Sequence, residues 1–514
     1  MNILGLFASL LVLFLGTKLY ERARRAQRSL PSAGFSSIPL SYIKGIINCI
    51  NGRDSVRSAC HRHGNQLFTY SQVGQWVVLA HAKKHVRDIC NAPEDVLSME
   101  AAAEELLQLR NTVGPQFCDE IYHVHAIRTS LNLNLARLLP ILLDELVHAF
   151  KDSIDVQLVN DGWTSLKAYD TFSRMICRTT NRAFVGLPLC RNAEYIELAS
   201  QFASQVLSAG AIIKMLVPRS LRASAGRIFR LVHRHHHRML ELVEPLIEQR
   251  RQERILSKRP PTEDMIGWLL DAAPDSHEQS NASLAMRLLN VNFVALHTTT
   301  KIFIHTLYHV AANPDIIPAL REEAELFLGR EDTKAWSKEA LSRCVKLDSL
   351  FKETLRLNVF GSITLPRLAV KDFTFTDGTK VSAGYYVATA ADVLQRDANV
   401  YPEPDEFKPF RFATPTTISE EQEALNEWPN RMTSTTESFV AFGGGRHLCP
   451  GRFFASTEMK VFMAYLILNY DLKMPRDGVR PRDEWLGPMS SPSTRARVLF
   501  RRRQDPKTNQ DKTV

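Results

Sequence analysis

No Cys-x-x-Cys pair occurs among the eight cysteines of this chain, Cys49, Cys60, Cys90, Cys118, Cys177, Cys190, Cys344 and Cys449. Scattered in this way they offer neither the ligand spacing of a zinc site nor a disulfide framework, and they suit a reducing compartment. Internal repeats and long low-complexity tracts are missing. No linker divides the 514 residues, although that length would ordinarily suggest several domains. The basic residues are not interleaved with aromatics and accompany no nucleic-acid motif, which argues against nucleic acid as a partner. Their excess is modest, 64 Lys and Arg against 55 Asp and Glu, and the net +9 favours an anionic membrane or an acidic redox partner. Nor do His233, His235, His236 and His237 offer a metal site, because contiguous side chains point around a helix rather than at one centre. They read as a solvated or membrane-facing patch.

The N-terminal apolar run, Ile3 to Gly16 extended by Thr17, Lys18, Leu19 and Tyr20, has no basic stretch before it and no clear small-residue cleavage site after it. Arg22, Arg24, Arg25 and Arg28 follow at once, and such residues stay cytosolic. About 20 residues cross a bilayer and Lys18 can snorkel, so residues 1–20 are expected to be a retained single-pass anchor with the rest of the chain in the cytosol. Residues 21–40 form a basic linker in which Pro31 and Pro39 end the helix, and 503–514 is a polar tail expected to be disordered.

Between these ends, 45% hydrophobic content supplies a large core. From about 120 to 280 the periodicity is helical, as in Leu131, Leu133, Leu135, Leu138, Leu139, Ile141, Leu142 and Leu146. Residues 66–70 and 75–80 read as two strands joined by a polar turn, and Asp377-Gly378 between 372–375 and 381–388 signals a hairpin. The expected class is mainly α with a minor β-sheet.

One stretch carries chemistry: Phe442-Gly-Gly-Gly-Arg-His-Leu-Cys-Pro-Gly451. Three successive glycines remove every β-carbon from the turn, so the backbone can take positive φ, lie against a flat ligand and aim amides at the Cys449 sulfur. The apolar run from Arg452 to Leu468 reads as a buried helix whose positive end faces that thiol and lowers its pKa.

Phe-x-x-Gly-x-His-x-Cys-x-Gly, from Phe442 to Gly451, resembles the haem-binding loop of the haem-thiolate monooxygenases, the cytochrome P-450 family. The resemblance implies that Cys449 is the axial thiolate of a haem b iron, that His447 meets a haem propionate, that Phe442 packs beside the sulfur and that Gly445 belongs to the cofactor-binding loop. Two more motifs follow the family's order. Glu353-Thr-Leu-Arg356 places opposite charges three residues apart on a helix, and Arg411 within Pro404–Phe412 resembles the arginine that joins them, so Glu353, Arg356 and Arg411 are expected to form a buried triad. Arg367, after Gly361-Ser-Ile-Thr-Leu-Pro, resembles a propionate-binding arginine. Arg128 stands where the family's Trp-x-x-x-Arg has its arginine, but Val124 takes the tryptophan position, with His123 or His125 as substitutes. Residues 486–492 would reach the pocket from the last hairpin. On the oxygen-side helix the family pattern of small residue, Gly, any, acid, Thr becomes Val294, Ala295, Leu296, His297 and Thr298. Ala295 leaves room for oxygen, Thr298 keeps the proton-relaying hydroxyl, and His297 replaces the acid as a relay with an unperturbed pKa of about 6.5.

The resemblance implies a catalytic body over residues 41–502 that inserts one oxygen atom from O2 into a lipophilic small molecule. Electrons would come from NADPH through a reductase, and the endoplasmic reticulum membrane would hold the anchor. The Gly-Gly-Gly-Arg-His-Leu-Cys-Pro-Gly loop and the His-Thr-Thr run are similar to those of fungal members acting on terpenoid or steroid-like secondary metabolites. Two other functions are compatible with the residues. One is an oxygen-independent haem-thiolate isomerase or dehydratase, which the missing acid at His297 allows, and the other is a membrane-tethered haem or lipid-binding module.

Overall fold

The computed structural model describes Gly16 and residues 30–34, 38–73, 75–159, 162–256, 262–330, 332–413 and 430–504. All of the expected anchor but Gly16, most of the basic linker and residues 505–514 of the expected tail lie outside the described residues. The helices that shape the site are α1 (Ile38–Ile50), α2 (Lys83–Asn91), α3 (Leu135–Ser153), α4 (Ala168–Phe184), α5 (Ala193–Leu216), α6 (Arg222–His233), α7 (His235–Leu256), α8 (Asn281–Ala312), α9 (Val345–Leu357) and α10 (Arg452–Asn469).

At 32 residues α8 is about 48 Å long. Ser280 caps it, its side chain accepting from the Ser283 amide. It threads the core because its faces are apolar or internally satisfied. Asn290, Asn292 and Thr306 return their side-chain donors to the carbonyls of Met286, Leu288 and Ile302, at 2.8, 3.1 and 2.9 Å. Around it Leu139 and Leu146 of α3, Phe172 of α4, Phe303 and Leu307 of α8, Leu350 and Phe351 of α9, and Phe462 of α10 form one apolar cluster. Of the leucine series in the helical region, Leu131, Leu135, Leu138, Leu139, Leu142 and Leu146 are buried. Leu133, in the turn before α3, is 82% exposed, and Ile141 lies on the outer face of α3.

Four small sheets complete the body. Their strands are β1 (Phe68–Gln72), β2 (Gln75–Ala80), β3 (Leu97–Ser98), β4 (Thr164–Lys167), β5 (Thr364–Ala369), β6 (Phe373–Thr374), β7 (Lys380–Val381), β8 (Tyr386–Thr389), β9 (Tyr470–Lys473), β10 (Glu484–Leu486), β11 (Met489–Ser491) and β12 (Arg497–Arg502). The largest has the order β1-β2-β8-β5-β3, with β2 and β8 parallel and the other pairs antiparallel. The first expected strand begins two residues late, at Phe68. The hairpin at Asp377-Gly378 forms with Gly378 at φ +84°, but the expected strand 381–388 breaks in two. Gly384 at φ +89° turns the chain and donates its amide to Ala369, so β7 and β8 serve different sheets.

The histidine run is also interrupted. Arg234 adopts φ +47° between α6 and α7, and His235 and His236 turn onto Phe202 while His233 and His237 stay exposed. Burial pushes His236 down to about 4 and lowers His235 as well, so these two are half-buried and neutral rather than part of a solvated patch.

Candidate active site

The cysteine loop is pinned at both ends. The Cys449 amide donates to the Phe442 carbonyl at 2.8 Å, and Gly443 donates to Val440 at 3.0 Å. Gly443 and Gly445 adopt φ +87° and +62°, but Gly444 is extended at −161°. The demand for glycine comes from the protein beneath the loop. A Cβ on Gly444 would stand 2.4 Å from Cys90 Sγ, and one on Gly445 would stand 2.1 Å from the Cys90 carbonyl oxygen at the end of α2. Among the described residues, the loop's close approach is to the end of α2. Phe442 packs on the main apolar cluster.

Burial is the largest influence on the Cys449 thiol and raises its pKa; the Gly451 and Arg452 amides and the Arg452 guanidinium lower it without reversing the balance. The expectation that the start of α10 depresses the thiol pKa is therefore corrected in its net sign. The first amides of α10 do lower the thiol pKa, as does the Arg452 charge, but together they offset only part of the cost of burial. Cys449 and the other described cysteines are free.

Around the loop, Arg128 Nη2 donates to the Arg446 carbonyl at 3.2 Å and Asn132 Nδ2 to that of Pro450 at 3.0 Å. His123 stacks on Phe117, with Nδ1 3.1 Å from Arg287 Nη1, and burial reinforced by Arg287 pushes it down to about 3. His125 is exposed. Arg367 on β5 is 1% exposed; its Nη1 donates to the adjacent Pro366 carbonyl at 2.9 Å, and its Nη2 has no hydrogen-bond partner among the described residues. With His447, Gly443 and Gln395 it borders a cavity of about 210 Å³. His447 Nε2 lies 2.7 Å from Glu94 Oε2. The acid that His447 meets here is thus the chain's own, itself held by Ser98 Oγ and the Met99 and Glu100 amides.

Behind the loop, Glu353, Arg356 and Arg411 come together. Arg356 clasps Glu353 at 2.7 and 2.8 Å, Arg411 Nε lies 3.1 Å from both carboxylate oxygens, and the Lys408 amide donates to Oε1 at 3.0 Å. Glu353 and Arg356 are fully buried. The spare donors of Arg356 reach the carbonyls of Gln395, Pro404 and Glu406. Gln395 joins this knot to the cysteine loop, donating to Leu355 and Arg356 and accepting from the Val440 amide.

The middle of α8 differs from the rest of that helix. Val294 is 55% exposed and Thr298, one turn later, is exposed as well, in a helix buried on both sides of them. Thr298 Oγ1 donates to the Val294 carbonyl at 3.2 Å. Half-buried Ala295 packs on the cluster that contains Phe454 of α10, so this window and the start of the helix that follows the cysteine loop border one core. His297 leaves the window: its ring lies by the Ser200 carbonyl of α5, Nε2 is buried without a partner, and burial followed by the Lys301 charge lowers its pKa. The β10–β11 hairpin lies between α1 and residues 361–362, through Gly487 to Cys49 at 2.8 Å and Ser362 to Pro488 at 2.7 Å. Cys90, Glu94 and Gln395 escaped the sequence-based reading because nothing local marks residues that meet the loop from 45 to more than 300 positions away.

A haem needs a soft axial donor, cationic donors for its carboxylates and an open face on a helix. A buried thiol, an unpartnered buried guanidinium nitrogen and the Val294–Thr298 window fit those needs. The sequence profile of the family described as cytochrome P-450 matches residues 45–500. Cytochrome P-450 monooxygenase 151 of Postia placenta is 34% identical over 93% of this chain and 94% of its own. Cytochrome P-450 monooxygenase CYP512U6 of Ganoderma lucidum is 32% identical over 88% and 87%. Cyanobacterial CYP120A1, solved with retinoic acid bound, shares the fold at a TM-score of 0.67 and 20% identity, over 92% of this chain and 99% of that one. With a profile spanning nearly all of the described body and relatives matched along nearly their whole length, the chain belongs to the cytochrome P-450 family of haem-thiolate monooxygenases.

Proposed function

We propose that residues 41–502 form a catalytic body that oxygenates a lipophilic small molecule of terpenoid or steroid-like type. Electrons come from NADPH through a membrane reductase, and residues 1–20 hold the enzyme at the endoplasmic reticulum with this body in the cytosol. The observation that carries the reading is the Val294–Thr298 window in an otherwise buried helix, whose Ala295 packs on the cluster that holds Phe454, five residues after the free thiol of Cys449.

In this reading Cys449 binds the haem iron, and the loop from Phe442 to Gly451, including Gly445, cradles the group. Arg367 holds a propionate with its unpartnered Nη2, and His447 and Arg128 stand on the same side, His447 releasing Glu94 or sharing it. Bound haem supplies the chemistry that moves one atom of O2 into the substrate. Val294 and Ala295 shape an apolar floor that orients the substrate and excludes bulk water. Thr298 holds its hydroxyl proton in the window, and His297, half-buried against the Ser200 carbonyl of α5, would pass protons toward it from behind the window through water, where the family usually has an acid.

Cys449→Ala tests the reading. The reduced, carbon monoxide-treated wild type should absorb near the family's long-wavelength Soret position and the variant should not; retention of that band in the variant overturns it. Substrate turnover by the wild type with neither NADPH nor O2 would assign the isomerase or dehydratase function instead.

A further inference from the structure

Lys301 follows Thr298 by three residues, which places the two side chains on one face of α8, about 4.5 Å apart along its axis. The same stripe begins at the exposed Val294. Lys301 is half-buried, and its Nζ has one long hydrogen bond, 3.5 Å to the Ser490 carbonyl on β11. An ammonium carries three donors, so two are left for partners other than the described protein groups. Burial alone lowers its pKa, and among the described residues no carboxylate offsets that burial.

The hairpin that Lys301 leans on is fixed. Ser490 is 2% exposed, its amide donates to Phe360 at 2.9 Å and its hydroxyl to Val359 at 2.8 Å, so the cation has a firm backing rather than a mobile one. Beside it Leu486 and Met489 are 73% and 57% exposed. An apolar lip therefore adjoins one under-satisfied cation, on the helix face that carries Thr298. A hydroxyl or ketone would spend a donor but leave the charge uncompensated; a carboxylate spends donors and compensates the charge.

We infer that Lys301 selects the substrate, pairing with the carboxylate of a lipophilic acid whose hydrocarbon body lies along the Val294–Thr298 stripe. The inference rests on the monooxygenase reading and narrows its substrate to an amphiphilic acid. The acid end sits between α8 and the β10–β11 hairpin, and the hydrocarbon points toward the haem side of Thr298.

The test is titration of the ferric full-length holoenzyme with hexadecanoic acid, abietic acid and the methyl ester of each, read by the haem Soret shift. The wild type should bind the acids about ten- to a hundredfold more tightly than the esters. Lys301→Met keeps the length of the side chain without the charge; it should erase that preference and leave ester affinity unchanged, and Lys301→Arg should keep part of it. Equal affinity for acids and esters in the wild type overturns the inference, as does loss of both classes together in Lys301→Met, which would make Lys301 a prop for the hairpin. The carbon monoxide band separates the two levels. Its absence in the wild type fails the monooxygenase reading, whereas a normal band without acid preference fails this inference alone.

Discussion

Gly444 and Gly445 meet Cys90 through different atoms, so substitution separates side-chain crowding from backbone crowding. Gly444→Ala should cost about 1–3 kcal/mol by overpacking and weaken haem retention, and Cys90→Ala should restore both, because the next nearest atoms are at 3.7 and 4.0 Å. Gly445→Ala should not be rescued, since it opposes a carbonyl oxygen and its φ is +62°. Thermal midpoints and the carbon monoxide band of the single and double variants check this; a Gly444→Ala defect that persists in the double variant contradicts the packing account. His297 supports a second prediction. Its pKa is lowered from 6.5, so it is neutral at pH 7 and above, and its contribution to coupling should be constant from pH 7 to 8.5 and change only at lower pH. His297→Ala should keep the carbon monoxide band yet form less product per NADPH, with more peroxide, at every pH in that range. Wild-type coupling in the variant would make His297 a helix-packing residue.

At the scale of elements, the Glu353 knot fastens α9 to residues 402–411 and, through Gln395, to the cysteine loop. Removing one arginine leaves a fully buried carboxylate short of a partner. Arg411→Ala should therefore cost about 3–5 kcal/mol and release haem on mild heating. Arg503→Ala, which breaks the outlying pair with Glu325, should cost about 1 kcal/mol or less. Urea unfolding of both variants is the comparison, and equal losses would deny the knot its structural role. The motif Glu-x-x-Arg and the later arginine were visible in the sequence, the pair because helix geometry relates residues three apart and the third member by resemblance. Gln395 was not, because a glutamine that ties three segments looks like any other until the segments meet.

For the whole molecule, one helix among the described residues is long and apolar enough to cross a membrane: α5, Ala193–Leu216, which packs along α8 with 33% of its apolar window buried. The proposal assigns membrane attachment to residues 1–20 instead. A chain starting at residue 21 should move from the membrane to the soluble fraction with its carbon monoxide band intact; unchanged membrane recovery would assign attachment to the body. By itself the sequence determined the residue pattern of the cysteine loop, the Glu353–Arg356 pair and the predominance of helix, because each is a short-range pattern of residue type and spacing. Tertiary structure alone decided the parallel pairing of β2 with β8, the seating of the glycines on Cys90, the placement of Glu94 opposite His447 and of His297 beside α5, and the upward shift of the Cys449 thiol. Burial and contacts between distant segments set all of these, and neither is a property of neighbouring residues in the chain.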